Sequence, residues 1–256
     1  MTPASIPDIE GGLFDAHLHI IAPGFPLIPN QGYTPDFFTV DDYLGRAKPL
    51  GITGGAVVSG SFQGFDQTYL LDALARLGPG FVGVTQLPAD TPDDVILDLD
   101  SKGVRAVRFN LQRGGSEDVS QLERMALRVH ELCGWHVELY VANRHLAGLR
   151  DLLARLPKVS IDHLGLTAEG FDDLMWLVER GIKVKATGFG RCNFDVAEAL
   201  RRIDTVNPDA LMFGTDLPCT RAPRGFRPDD IQLLCALPTK GAPRALQANT
   251  QKFYEP

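Results

Sequence analysis

Eight short strand-like segments, each followed by a stretch with helical periodicity, constrain the fold of this chain more than any other feature. The strand-like runs are Leu13 to Ile20, Gly54 to Ser61, Phe81 to Leu87, Val104 to Asn110, His136 to Val141, Val159 to His163, Ile182 to Thr187 and Ala210 to Asp216. Between them, Thr39 to Lys48, Gln67 to Leu77, Glu117 to Cys133, Asn143 to Leu156, Phe171 to Arg180 and Asn193 to Asp204 carry helical spacing, and Thr91-Pro92-Asp93-Asp94 opens a further helix with a capping residue. Strict alternation makes the strands parallel, and eight of them close on themselves. The expected fold class is therefore α/β, a distorted (β/α)8 TIM barrel. An open doubly wound sheet is the rival, but neither G-x-G-x-x-G nor a P-loop follows the first strand. The 256 residues are read as one domain, with a closing helical region from about residue 227 and a last helix around Ala242 to Lys252.

Composition narrows the partners. With 44% hydrophobic and 22% charged residues the chain can bury a sizeable core. A net charge of −7 argues against nucleic acid or an anionic membrane as partner, so any anion must be caught locally. Cys133, Cys192, Cys219 and Cys235 show no C-x-x-C spacing and read as reduced thiols. No targeting signal or bilayer-length apolar run is visible, and the expected compartment is the cytoplasm.

Catalytic groups of such barrels sit at inward-facing C-terminal strand ends, so strand parity selects candidates. In Leu13-Phe14-Asp15-Ala16-His17-Leu18-His19-Ile20, alternation puts Asp15, His17 and His19 on one face and Phe14, Ala16 and Leu18 on the other. On the fourth strand Arg108 and Asn110 point inward if Val107 and Phe109 pack on helices. The fifth presents His136, Glu138 and Tyr140, with Tyr140 nearest the mouth. On the sixth, His163 shares parity with Val159 and Ile161, and Asp162 is expected to face the other way. The seventh places Lys183, Lys185 and Thr187 inside and leads to Arg191, and the eighth ends with Asp216 inward. A lone buried histidine is more often structural than functional, and that reading is preferred for His136, as an internal pairing is for Glu138 and Lys183. Four proton- or metal-binding groups at one rim, His17, His19, His163 and Asp216, are costly to desolvate without a purpose. Arg108 and Arg191 are the better anion receptors, because guanidinium pairs bidentately with carboxylate.

Three motifs in order, Phe14-Asp15-Ala16-His17-Leu18-His19, Asp162-His163-Leu164-Gly165 and Phe213-Gly214-Thr215-Asp216-Leu217-Pro218, resemble the amidohydrolase superfamily. Val104 to Asn110 and the Phe25-Pro26 to Tyr33-Thr34-Pro35 loop are similar to its branch of 2-pyrone-4,6-dicarboxylate lactonases and sugar lactonases. The resemblance implies hydrolysis of a small anionic lactone. It maps the general base to Asp216, the polarising histidines to His17, His19 and His163, and the carboxylate-binding arginines to Arg108, Arg113 and Arg191. It also matches Tyr140 to a fifth-strand tyrosine. Ser59 of the second strand is expected among the substrate contacts. His17, His19, His163 and Asp216 have donors suited to a single zinc, yet the branch includes members that work without metal, and no required cofactor is the expectation. Two rivals remain open at this level: a mononuclear zinc decarboxylase or hydratase of an unsaturated dicarboxylic acid, and an inactive barrel that binds a small anion.

Overall fold

The chain is described from a computed structural model, which covers residues 7–239 and 243–255. Apolar residues on both faces of the central strands leave them no stable place except between two layers, and the barrel supplies both. Its strands are β1 (Leu13–Leu18), β2 (Ile52–Val58), β3 (Phe81–Thr85), β4 (Val104–Asn110), β5 (His136–Tyr140), β6 (Val159–Ile161), β7 (Lys183–Ala186) and β8 (Leu211–Phe213). They form one parallel sheet in sequence order, as the alternation predicts. Val57, Val107, Phe109, Val137, Leu139, Val184 and Leu211 face outward into a layer shared with helical residues such as Leu70, Met125, Leu174 and Leu200. Phe14, Ala16, Ala56, Val58, Val84, Ala106 and Met212 fill the interior.

The outer ring is α1 (Val40–Ala47), α2 (Thr68–Leu77), α3 (Asp93–Ser101), α4 (Leu122–Cys133), α5 (Arg150–Leu153), α6 (Phe171–Glu179) and α7 (Val196–Val206), followed by α8 (Asp229–Cys235) and α9 (Asn249–Tyr254). Thr39 caps α1 as expected, its hydroxyl accepting from the Asp42 amide while the Asp42 carboxylate accepts from the Thr39 amide at 2.8 Å. The expected Thr91 cap does not form. Pro92 takes the cap position and the Thr91 hydroxyl donates back to the Pro88 carbonyl. Most of the helix expected from Asn143 is a 3-10 turn over Asn143–Gly148, because the Asn143 side chain is tied to the Leu164 and Thr167 carbonyls beyond β6. A five-residue π turn (Arg244–Ala248) leads into α9, which brings Phe253 and Tyr254 into the inner cluster and so closes the strand-start end of the barrel. The expected start of the last helix at Ala242 lies outside the described residues. The four cysteines are free, and no helix among the described residues is long and apolar enough to cross a membrane.

One parity expectation fails at β1, and the failure organises the barrel's closure. Phe14 and Ala16 join the inner cluster while Leu13 and Leu18 join the outer one. A register irregularity between Asp15 and Leu18 opposite β2 lets His17 turn inward directly after Ala16. Asp15 is left at the seam between β8 and β1. Its carboxylate accepts from the Thr215 amide (2.8 Å), the Thr215 hydroxyl (2.6 Å), the His17 amide (3.1 Å) and the Tyr43 hydroxyl of α1 (3.1 Å). Two backbone bonds finish the seam, Asp216 amide to His17 carbonyl at 2.7 Å and His19 amide to Leu217 carbonyl at 2.8 Å. Burial still pushes the Asp15 carboxyl up to about 6 despite these donors.

Asp15→Ala strips the acceptor from three buried donors outside its own strand, and we expect it to cost about 3 to 5 kcal/mol in urea unfolding. Tyr43→Phe removes one donor and should cost about 1 kcal/mol. Equal losses from the two would mean that Asp15 does not hold the seam.

Candidate active site

The polar groups gather at the opposite end of the barrel from α9. His17 and His19, both buried, emerge from the end of β1 with ring centroids 5.0 Å apart. The Nδ1 of His19 lies 2.7 Å from the Val58 carbonyl, which can only accept, so that nitrogen donates and Nε2 is the one turned to the site. His19 Nε2 faces Asp216 Oδ1 at 3.5 Å, with His17 Nε2 3.9 Å from the same oxygen. Asp216 follows β8 in the left-handed region, with φ of 60°. Arg191 holds its other oxygen, Oδ2, through Nε at 2.8 Å and Nη2 at 2.7 Å. Burial by itself would raise the Asp216 carboxyl; the Arg191 guanidinium overrides it and holds the group far below the usual carboxylate range.

Beneath this layer lies a second cluster of buried charges. Asp162 was expected to face away from the interior; it faces in, because Val159 and Ile161 are the outward residues of β6 and Asp162 continues the alternation. His163 also turns inward, but by leaving the strand: its φ of 52° starts a left-handed turn that swings the ring back over the mouth. The Asp162 carboxylate takes Arg108 Nε (3.1 Å) and Nη2 (2.8 Å) on Oδ2, and has His17 Nδ1 at 3.4 Å and Lys185 Nζ at 3.6 Å from Oδ1. Lys185, wholly buried on β7, donates to Glu138 Oε2 at 2.5 Å, and Glu138 also accepts from the Tyr254 hydroxyl of α9. His136 Nε2 lies 3.1 Å from Glu138 Oε1, so His136 and Glu138 belong to this internal pairing as expected, whereas Lys183 reaches out to the Asp209 carbonyl. Burial lowers the His17 imidazole to about 3 and drives His163 well below its ordinary value, so both are neutral at pH 7.

The remaining candidates separate by position. Arg108, Arg113, Tyr140, His163, Arg191 and Asp216 line one cleft, joined by His19, Gly60, Ser61, Phe62, Asn110, Thr220 and Arg221. Arg108 lies over the Tyr140 ring (5.2 Å), and Tyr140 meets His163 edge-on (4.9 Å). Ser59 is placed elsewhere. It lies just past the end of β2 and faces outward, its hydroxyl 2.6 Å from the Tyr69 hydroxyl of α2, and only its carbonyl turns inward, to accept from Arg108. Ser61 occupies the cleft position instead. Asp162 and Lys185 are the members that strand parity left without a role; Lys185 was readable as inward on β7, but its partners came from β5 and β6.

The described polar atoms left without a partner include His17 Nε2, Asp162 Oδ1, His163 Nδ1 and Asp216 Oδ1. A family model described as amidohydrolase matches residues 14–255. The chain belongs to the amidohydrolase family. Among curated proteins, this amidohydrolase is 32% identical to a 4-sulfomuconolactone hydrolase of Rhizobium radiobacter over 230 residues, covering 82% of this chain and 77% of that one. It is 28% identical to a 2-pyrone-4,6-dicarboxylate hydrolase of Comamonas testosteroni over 287 residues, covering 97% and 92%. A solved structure described as a probable 2-pyrone-4,6-dicarboxylic acid hydrolase from Acinetobacter baumannii superposes with a TM-score of 0.81 at 20% identity, over 95% of this chain and 99% of that one, so the barrel is shared.

The amidohydrolase has residues that can hold a metal. Donor atoms of His17, His19 and Asp216 lie within 4.8 Å of one another, as do those of His17, Asp162 and His163. The first group fits a divalent cation, since His17 Nε2, His19 Nε2 and an Asp216 oxygen converge there, with His19 Nε2 3.5 Å and His17 Nε2 3.9 Å from Asp216 Oδ1. The second group fits poorly, because the Lys185 ammonium already lies beside Asp162 Oδ1 and His17 Nδ1.

Lys185→Met leaves Glu138 and Asp162 short of their shared cation, and we expect it to cost about 3 to 5 kcal/mol. Combining it with Glu138→Gln should return at least about 1 kcal/mol of that loss, because an uncharged amide tolerates the vacancy better. Strict additivity in urea unfolding would contradict the coupling.

Proposed function

We propose that this amidohydrolase opens a small anionic lactone by adding water to its carbonyl, with Asp216 as general base. One observation carries the reading: Asp216 Oδ2 is fixed by the Arg191 guanidinium, whose charge favours the ionised carboxylate, and Oδ1 is turned to the histidines at the mouth. The names of its relatives, hydrolases of a sulfomuconolactone and a pyrone dicarboxylate, support the same class of substrate.

In this reading the substrate carboxylate is held by Arg191 and by Arg108, whose guanidinium has five N–H donors and uses three on Asp162 and Ser59. The scissile carbonyl points at His163, which is neutral and donates from whichever ring nitrogen bears its proton, with His17 beside it at 4.8 Å between ring centroids. Asp216 Oδ1 takes a proton from water as the water oxygen bonds to the carbonyl carbon. The ring C–O bond then breaks, and the departing oxygen receives that proton, leaving a ring-opened acid. A carboxylate as acidic as Asp216 is a weak base. Substrate drawing Arg191 toward itself loosens the Arg191 grip and strengthens the base at the moment it is needed.

A divalent cation, where bound, would be held by His17, His19 and Asp216 and would supply carbonyl polarisation and a more acidic water. Turnover without metal is the expectation we retain. The convergence of His17, His19 and Asp216 donor atoms favours the alternative of a mononuclear metal enzyme. Elemental analysis with chelation separates the two: full activity in metal-free protein supports the first, and stoichiometric zinc whose removal and return switch activity off and on supports the second.

Asp216→Asn should lower kcat by at least a hundredfold, within the roughly hundred- to ten-thousand-fold range of general-base catalysis, while leaving binding of a dicarboxylate measurable by calorimetry. Turnover close to that of the parent would remove Asp216 from the reaction. Arg108→Met should raise KM strongly for an anionic lactone and little for a neutral one, and equal losses would count against carboxylate binding by Arg108.

A further inference from the structure

The two groups of donor atoms that share His17 differ in what surrounds them. The outer group, His17, His19 and Asp216, opens on the cleft, since His19 and Asp216 both line it. The inner group, His17, Asp162 and His163, lies beneath, and of its members only His163 reaches the cleft. A side chain already carries positive charge into that inner group. Lys185 Nζ stands 3.4 Å from His17 Nδ1 and 3.6 Å from Asp162 Oδ1, two atoms that are themselves 3.4 Å apart. Its one close bond is to Glu138 Oε2 at 2.5 Å, and the Tyr254 ring centroid lies 5.8 Å away.

Separations of 3.4 to 3.6 Å are too long for strong hydrogen bonds, so the ammonium acts on His17 and Asp162 chiefly as a charge. Asp162 Oδ1 and His163 Nδ1, both buried, have no hydrogen-bond partner and remain as lone pairs within this group. The charges balance: the cations of Arg108 and Lys185 offset the carboxylates of Asp162 and Glu138, and all four side chains are buried. A divalent ion added to the inner group would leave two positive charges uncompensated in a low-dielectric space. In the outer group the cleft admits water or an anion that can offset such a charge. A neutral imidazole also has a single lone pair, so His17 can serve one group and not both. With Lys185 beside Nδ1, the nitrogen left to an ion is Nε2, which faces Asp216.

We propose that Lys185 is a built-in cation standing in the inner group in place of a metal ion, so that any divalent ion the amidohydrolase takes is confined to the outer group. The inner group is then a latent site for zinc or an ion of similar preference, with two nitrogens and one oxygen as ligands, and it opens when position 185 loses its charge. The proposal stands apart from the lactonase reading, because it concerns which cation the buried cluster holds and not what the cleft receives.

The test is made in a His19→Asn chain, where the outer group lacks a ligand and zinc binding reports on the inner one. Metal-stripped full-length protein is titrated with zinc chloride by calorimetry. Adding Lys185→Met should create one equivalent of zinc bound at least about a hundredfold more tightly than by His19→Asn alone. Adding His163→Asn as well should lose at least about tenfold of that gain. Lys185→Arg, which keeps the charge, should gain nothing. Zinc should also raise the melting temperature of the Lys185→Met protein and leave that of Lys185→Arg unchanged. If Lys185→Met does not fold alone, it is refolded with zinc chloride and its retained zinc counted by elemental analysis: recovery of folded protein with one equivalent supports the proposal, and failure to refold overturns it. No gain of zinc in Lys185→Met, an equal gain in Lys185→Arg, or a gain indifferent to His163 also overturns it.

Discussion

The pairing of Arg108 with Asp162 is the contact on which the rest of the site depends. Both groups are almost wholly buried, so removing either leaves a full charge in a low-dielectric interior, a situation that typically costs about 3 to 5 kcal/mol. Held this way, Asp162 presents its free oxygen to His17 and Lys185, and Lys185 hands the constraint on to Glu138. Glu138 is in turn bonded by Tyr254, so the last helix at one end of the barrel is coupled to the histidines at the other. A buried network of this kind is poor value as a source of stability, since its desolvation cost is close to its Coulombic gain. Its effect is positional. It fixes the ring of His17, while burial outweighs the Asp162 carboxylate and keeps that imidazole neutral, as a metal ligand must be.

Backbone strain is concentrated at the same rim. His163 and Asp216 both adopt left-handed conformations that ordinary residues avoid, at φ of 52° and 60°. Each follows the end of its strand, so the strain redirects a side chain that regular alternation would leave elsewhere or bury more deeply. Space for the His163 ring comes from Gly188, where a Cβ would stand 2.5 Å from His163 Nδ1. The rigid barrel tolerates these outliers because its eight strands are pinned on both faces, and catalytic groups placed on such a scaffold need little reorganisation during reaction.

Much of this was legible in the sequence, for reasons that can be named residue by residue. Alternation of Val107 and Phe109 with Arg108 and Asn110 gave the orientation of β4, and that of Val137 and Leu139 gave β5, because these strands are regular and buried on both sides. Parity failed where the strands stop being regular. At Asp15 an irregular register broke the two-residue period, and at Asp162 and His163 a left-handed turn let consecutive residues face the same cavity. Ser59 and Ser61 both lie beyond the end of β2, and the turn that Gly60 opens between them breaks the two-residue period. The pairing of Lys185 with Glu138, and the approach of Arg221 to the Asn30–Tyr33 loop, join residues far apart in sequence and have no local signal. The resemblance to lactonases identified the rim; the cluster of charges beneath it came only with the three-dimensional arrangement.

The central claim, that these buried charges are arranged to open an anionic lactone, is tested most directly by ultraviolet assay of the purified protein against matched lactones differing in charge. 2-Pyrone-4,6-dicarboxylate and a muconolactone are compared with a neutral pyrone, each with metal-free and zinc-supplemented protein. The account predicts turnover of at least one anionic lactone, with kcat/KM for it at least a hundredfold above that for the neutral ring. No turnover of any anionic lactone under either metal condition, or equal turnover of charged and neutral rings, would contradict it.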